Sequence, residues 1–414
     1  MRDAEVTHGD VTNVRDVSKI AVIAHTISTD RFRCMSPTTE AALLAGIPVD
    51  SGSLFLKVGI AAGDPAAWLA VGDHSIVIVR DIEKQRAAAI GTADRYASPA
   101  DFAPPNGLDP DRAIATAQAV AECFRREGAT RVRTDRSLPF VFAWHLMQAG
   151  IELEFDAELG VLDRRVKSES QLDALAHAQL VTENSMEMAC RLVAASVADR
   201  SGTLHSDGAP LTSERVRAAI AHFLLDEGFT LGHGAIVATA PDAADCHHAG
   251  AGTLQTGVPV IIDIFPRDES SRFWGDCTRT VVHGTPSDTV AAMHLAVIKA
   301  KAAGCAQLCA GNTAASVHQA ATDVLESHGF RQSRGEVSDE PTIQHGTGHG
   351  IGLDIHEPLL LDDGGGALLA NEVYTVEPGL YGRNEGGVRI EDMLAVTNGE
   401  PRNFNRLHEG LDWS

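Results

Sequence analysis

The segment 345–357, HGTGHGIGLDIHE, sets three histidines (His345, His349 and His356) and two acids among four glycines. A phosphate cradle would need G-x-x-x-x-G-K-[ST] or the ordered glycines of a dinucleotide fingerprint; neither occurs, and the segment has no lysine. A metal site would need carboxylates where charge is expensive, and four stand out. Asp263 interrupts the apolar run VIIDIF, and Asp276 follows thirteen residues later at the head of DCTRT. Glu377 lies in YTVEPGLY, and Glu391 lies fourteen residues further on in VRIEDMLAV. A carboxylate inside apolar strand sequence is costly unless compensated, and two acids facing each other across a ladder repel. Two divalent cations would bring four positive charges to four carboxylates, with an imidazole from 345–357 as the nitrogen donor. Mn²⁺, Co²⁺, Fe²⁺ and Zn²⁺ all accept such an oxygen-rich set.

In order, Asp263, Asp276, His349, Glu377 and Glu391 resemble the five metal ligands of the pita-bread metallopeptidases, the family of methionine aminopeptidase, aminopeptidase P and prolidase. The 345–357 segment resembles the histidine signature of the aminopeptidase P and prolidase branch, DCTRT its D-x-T-R-T and RIED its R-x-E-D. The resemblance covers about residues 165–400 and implies that Asp263 chelates one ion, Asp276 and Glu391 bridge two, and His349 and Glu377 hold the second. Mn²⁺ is the ion the family favours. Two ions about 3.5–4 Å apart can share a hydroxide and polarise a scissile carbonyl. The implied reaction is hydrolysis of the N-terminal bond of Xaa-Pro peptides or dipeptides.

The same resemblance implies roles for the remaining polar residues. Glu377 would also shuttle the proton of the attacking water, and His356 would hydrogen-bond the amide or the tetrahedral intermediate. His345 would line the pocket near the residue after the scissile bond. Arg389 would border the substrate and orient Glu391 or a neighbouring acid, while His247 of DCHHAG would protonate the leaving nitrogen. Two departures matter. The Asp263–Asp276 spacing is longer than the family's by an even count, which preserves facing within a hairpin. His247 lies slightly closer to Asp263 than the pattern asks, so His248 competes for its role. Cys246 and Cys277, beside His247 and Asp276, are read as small pocket-edge residues rather than nucleophiles. Creatinase-like or lyase chemistry on the same scaffold, or a silent peptide-binding module, are the alternatives; the complete ligand set weighs against both.

The elements that must position these residues fall into two groups. Residues 1–164 read as a smaller α/β domain. KIAVIAHT (19–26) and SLFLKVGI (53–60) are β-rich, WLAVGDHSIVIVR suggests a hairpin about Gly-Asp, and 109–128 reads as a helix with an Asp start and closing Gly. TRVRTD, PFVFAWHLMQAG and IELEFD continue as strand, helix and strand. Residues 165–414 then open on a long helical pattern with a second helix within 211–229, followed by strand-and-loop texture, helices at 287–311 and 313–328, and a β-rich close over 372–397. The expected class is α+β: a C-terminal pita-bread fold after an α/β domain.

Composition excludes other functions. A formal charge of −22 without any long basic run argues against nucleic acid, whose binding is led by clustered Lys and Arg. Seven scattered cysteines with no C-x-x-C indicate neither a disulfide framework nor a zinc ribbon and fit a reducing cytosol. The polar N-terminus lacks a signal-peptide core, and no apolar run approaches the ~18 residues of a membrane span. The expectation is a cytoplasmic protein acting on peptides away from membranes; a homodimer is implied by the resemblance alone.

Overall fold

The computed structural model describes residues 40–334 and 336–414; the strand expected at 19–26 and Cys34 lie outside these. The α/β region is built on a six-stranded sheet in the order Arg95–Ala97, His74–Ile78, Ala66–Val71, Ala41–Gly46, Arg131–Thr134, Glu152–Phe155. The hairpin turns at Gly72 and Asp73, with Val71 paired to His74 and Gly72 at φ 58°. Period-two alternation supplies both faces. Leu43, Leu69, Ile76 and Ile78 pack under the Arg112–Glu127 and Phe140–Gln148 helices, while Leu44 and Val77 point to the opposite core with Leu54 and Val58. The Arg112–Glu127 helix starts on Asp111, which accepts from Ala113 and Ile114 N–H, and stops at left-handed Gly128.

One expectation here is wrong. SLFLKVGI is not a strand: Gly52–Val58 is a helix, capped by the Ser51 side chain and ended by left-handed Gly59. Leu54 and Val58, four apart, are both buried, so the helical period and the two caps outweigh β-propensity.

Towards the C-terminus, curved antiparallel sheets are covered by pairs of helices. Glu169–Ala194 and Ser213–Asp226 share a core with a three-stranded sheet of Ala235–Ala238, Pro259–Ile264 and Cys277–Val282. Asp288–Gln307 and Ala314–Ser327 share another with Gly379–Gly382 and Gly386–Arg389. A five-stranded sheet that includes Gly348–Gly350, Val373–Val376 and Asp392–Ala395 completes the frame. The long helix begins with a reciprocal capping box between Ser168 and Gln171, and Thr212 caps the next.

Contrary to the reading of apolar runs, Asp288–Gln307 is long and apolar enough to cross a membrane. Its mid-helix Lys301 is 3% exposed and bridges Asp392 and Glu409, the latter at 2.6 Å. With that buried ion pair and one face in a core, it packs against the sheets of this fold.

Candidate metal centre

Asp263 lies inside the Pro259–Ile264 strand, opposite Thr278 of Cys277–Val282; Asp276 immediately precedes the latter strand. The two acids are therefore diagonal on one face of the sheet, not directly opposed. Only Asp263 is interior to a strand. Glu377 follows Val373–Val376, and Glu391 joins Gly386–Arg389 to Asp392–Ala395, where strand ends bring main chain close together. Gln179 of the long helix fixes Asp276 by its backbone, accepting from its N–H at 2.9 Å and donating to its carbonyl at 2.7 Å.

The structure gathers all five candidate ligands around one cavity of about 630 Å³. Ligand atoms of Asp276, His349 and Glu391, all buried, lie within 4.8 Å of one another. His349 Nε2 is 3.5 Å from Glu377 Oε1 and 3.7 Å from Asp276 Oδ2, while its Nδ1–H donates to the Gly350 carbonyl at 3.0 Å. That bond fixes the tautomer and turns an unprotonated nitrogen towards the acids. Burial, then the neighbouring His356, pushes His349 down to about 3. Gly348 permits the approach, since a Cβ there would fall 2.0 Å from the Thr375 carbonyl oxygen.

The electrostatics call for cations. Burial first, then the repulsion of Glu391, Asp263 and Glu377, raises Asp276 well above the carboxylate range. Burial followed by Glu377 and Asp263 does the same to Glu391, and burial raises Glu377 to about 7. Asp263 Oδ1 is buried without a hydrogen-bond partner among the described residues. An orphaned buried acceptor, crowded carboxylates and a free imidazole nitrogen together fit divalent ions.

Arg389 is the guanidinium set into this group, 3% exposed. It donates to Asp263 Oδ2 at 2.7 Å and to Thr278 Oγ1 at 3.1 Å; Thr278 in turn donates to Glu391 Oε2 at 2.8 Å. The acid it orients directly is Asp263, and Glu391 is reached through the hydroxyl. Arg389 also donates to Tyr381 Oη at 2.9 Å, leaving the Tyr381 O–H to donate to His345 Nε2 at 2.6 Å, while His345 Nδ1–H bonds the Gly346 carbonyl at 2.7 Å. Both nitrogens of His345 are thereby engaged, and it offers the cavity a ring face.

His356 packs edge-on against His349 with centroids 4.3 Å apart and is exposed to the cavity, as is His247. His248 is not on this wall; its Nδ1 accepts from Gly250 N–H. Cys246 borders the cavity, but Cys277 does not: alternation turns it into the core beneath the sheet, fully buried. Two other groupings, Asp245–Cys246–His247 and His318–Asp362–Asp363, contain exposed members, and Asp362 in the second is already paired with Arg334.

Several residues escaped sequence reasoning. Thr278, Tyr381 and Gln179 act through partners as many as 113 residues away. Arg279 was visible in DCTRT, where alternation turns it away from Thr278; fully buried, it donates to the Glu391 carbonyl at 2.5 Å and to Asp392 Oδ1 at 2.9 Å. The two acids of the 345–357 segment turn away from the ligands. Glu357 accepts from Lys167 Nζ at 2.8 Å, from Arg164 Nη1 at 3.2 Å and from Leu353 N–H at 3.0 Å, and Asp354 also pairs with Arg164. These contacts tie the loop carrying His356 to the 164–167 crossover.

Comparison with known proteins first defines the architecture. An Xaa-Pro dipeptidase from Bacillus anthracis superposes with a TM-score of 0.74 at 21% identity, covering 90% of this chain and 94% of that one. An X-Pro aminopeptidase from Thermotoga maritima superposes at 0.72 and 19% identity, covering 90% and 97%. The fold is the pita-bread fold, of class α+β. The model of metallopeptidase family M24 matches residues 168–398, more than half the chain, and the chain belongs to that family. Among curated relatives, a probable dipeptidase PepE of Mycobacterium bovis is 33% identical over 188 residues, 45% of this chain and 48% of the relative, so the match spans about half that relative's length. An Xaa-Pro dipeptidase of Pyrococcus horikoshii is 27% identical over 283 residues, 67% of this chain and 73% of the relative. Membership of a metallopeptidase family implies divalent metal ions, in keeping with the candidate ligand group.

Proposed function

We propose that the chain is a dinuclear metallopeptidase that hydrolyses the N-terminal peptide bond of Xaa-Pro peptides or dipeptides. The observation carrying this reading is the convergence of Asp263, Asp276, His349, Glu377 and Glu391 on one cavity, with an orphaned carboxylate oxygen on Asp263. In this reading Asp263 would hold one ion, His349 and Glu377 the other, and Asp276 and Glu391 would serve both; Mn²⁺ is the proposed metal. When bound, the ions would acidify a water molecule and polarise the scissile carbonyl.

The chain's own groups supply the rest. Glu377 accepts the proton that water gives up as its oxygen attacks the carbonyl carbon. His356, beside His349 and open to the cavity, hydrogen-bonds the carbonyl oxygen as charge develops there. His247 delivers a proton to the proline nitrogen as the C–N bond breaks. His345 forms a portion of the wall against the proline, and Arg389 keeps Asp263 and, through Thr278, Glu391 in place. The division into domains at 164/165, a cytoplasmic location and a homodimer complete the proposal; the six described cysteines, all free, support a reducing compartment.

The test is a panel of Xaa-Pro dipeptides, Xaa-Pro-Yaa tripeptides and matched peptides without proline, offered to the Mn²⁺-loaded protein. Hydrolysis confined to bonds preceding proline is expected. No hydrolysis with any divalent ion contradicts the reading.

A further inference from the structure

Asp276 and Glu391 are the two acids proposed to serve both ions, and they are also the two whose main chain is reached from the C-terminal segment 403–411. Among the described residues no hydrogen bond joins that segment to Asp263, His349 or Glu377. We propose that Asn405 is a positioning residue for the metal centre: its single side-chain amide pins the main chain beside both shared acids, so that losing it weakens the binding of both ions together. The inference rests on the dinuclear reading above.

Asn405 stands where three elements meet. Its Oδ1 accepts from Gln179 Nε2 at 3.0 Å and from the Met393 N–H at 2.8 Å, and its Nδ2 donates to Cys277 Sγ at 3.5 Å. Cys277 follows Asp276 directly, and Met393 lies two residues beyond Glu391. Gln179 is fully buried; the nitrogen that Asn405 holds also donates to the Asp276 carbonyl at 2.7 Å, while its oxygen accepts from the Asp276 N–H at 2.9 Å. Asn405 therefore fixes the amide that fixes Asp276. Its neighbours act on the other acid. Asn403 donates to Asp392 Oδ2 at 2.9 Å, and the Leu407 and His408 carbonyls accept from Arg279, which in turn donates to the Glu391 carbonyl.

A side chain positions others only if it is itself held. Phe404 is buried in one core beside Met393, and Trp413 in another beneath the long helix. Between them Glu183 of that helix accepts from the Arg406 and Leu407 N–H groups at 2.7 and 2.9 Å, and the Asn405 N–H donates to Asn403 Oδ1 at 2.8 Å. Turning the Asn405 amide would break several bonds at once, as in any satisfied polar network. The two ligands assigned to the second ion alone are held separately. Thr375 Oγ1 accepts from the His349 N–H at 3.1 Å and donates to Glu377 Oε1 at 3.3 Å.

The test is calorimetric titration of Mn²⁺ into the full, metal-free chain at neutral pH, resolving the two binding steps, with thermal unfolding of the metal-free chain alongside. Asn405→Ala should weaken both steps about 10–100-fold, the usual consequence of losing a group that orients a ligand. Thr375→Val, which keeps the shape and removes the hydroxyl, should weaken one step only. Where Asn405→Ala is too unstable to titrate, Gln179→Met removes the same link from the helix side and should weaken both steps likewise. A merely structural Asn405 would lower the unfolding temperature and leave both steps where they were, and that result overturns the proposal. So does a loss confined to one step, or an equal loss at both from Thr375→Val. An unmodified chain that binds fewer than two ions contradicts the dinuclear reading itself, and the proposal with it.

Discussion

At the scale of single residues, the candidate centre is organised by hydrogen bonds that the sequence does not display. Asp263, Asp276, His349, Glu377 and Glu391 are legible because acids in apolar strand sequence need compensation and because flanking motifs carry the family pattern. Thr278 is legible only as a letter of DCTRT; that its hydroxyl joins Arg389 to Glu391 emerges from a contact across 113 residues. Replacing it by valine keeps the shape and removes the link. Thr278→Val should weaken Mn²⁺ binding about 10–100-fold, the usual effect of losing a group that orients a ligand; calorimetry giving unchanged affinity would remove Thr278 from the account. The acids also set a pH dependence. Glu377 is raised to about 7 from 4.5, and Asp276 and Glu391 are raised well above the carboxylate range by burial and by repulsion from neighbouring acids. Without ions these three acids therefore hold more protons in the folded than in the unfolded chain from about pH 4.5 upwards, and their own contribution to stability falls as pH rises through that window. Ions require the deprotonated acids. The gain in Tm on adding Mn²⁺ should accordingly grow between pH 5 and about 7, and a gain independent of pH across that range is the contrary result.

At the scale of elements, local signals worked where caps and periodicity agreed and failed where they conflicted. The Arg112–Glu127 helix was legible from its Asp and Gly ends, but Gly52–Val58 was hidden by β-prone composition although Ser51 and Gly59 bracket it. Cys277 was misread for a related reason: its neighbour Asp276 faces the site, so alternation must send Cys277 to the core. The 345–357 loop shows the limit most clearly. No role was read for its acids, yet Glu357 is the socket for Lys167, both being 3% exposed, and a partner 190 residues away cannot be read from spacing. Removing one member of a buried ion pair leaves an uncompensated charge, at a cost of about 3–5 kcal/mol. Lys167→Met should lower the urea midpoint by a corresponding amount and impair peptide hydrolysis more than Mn²⁺ binding, because the loop it holds carries His356 while the ligands are also fixed from the sheets. A midpoint within error of the unmodified chain would show that Arg164 alone suffices.

At the scale of the whole molecule, two helix-covered sheets and a third, five-stranded sheet bring strand ends together, and four carboxylates with one imidazole meet there at the expense of mutual repulsion. The sequence conveyed the class of fold, and the order of the candidate ligands, through motifs that resemble the family's. It could not convey the place of Asn405, whose bond to Gln179 spans 226 residues. Protons relieve the mutual repulsion of the acids without ions and cations would relieve it at neutral pH; the proposed number of cations is two. Bound Mn²⁺ per chain, measured by elemental analysis after equilibration at saturating free ion and neutral pH, should be two, and Asp276→Asn should lose both because that residue is proposed to serve both ions. A stoichiometry of one or none for the unmodified chain, or two ions retained by Asp276→Asn, would contradict the account.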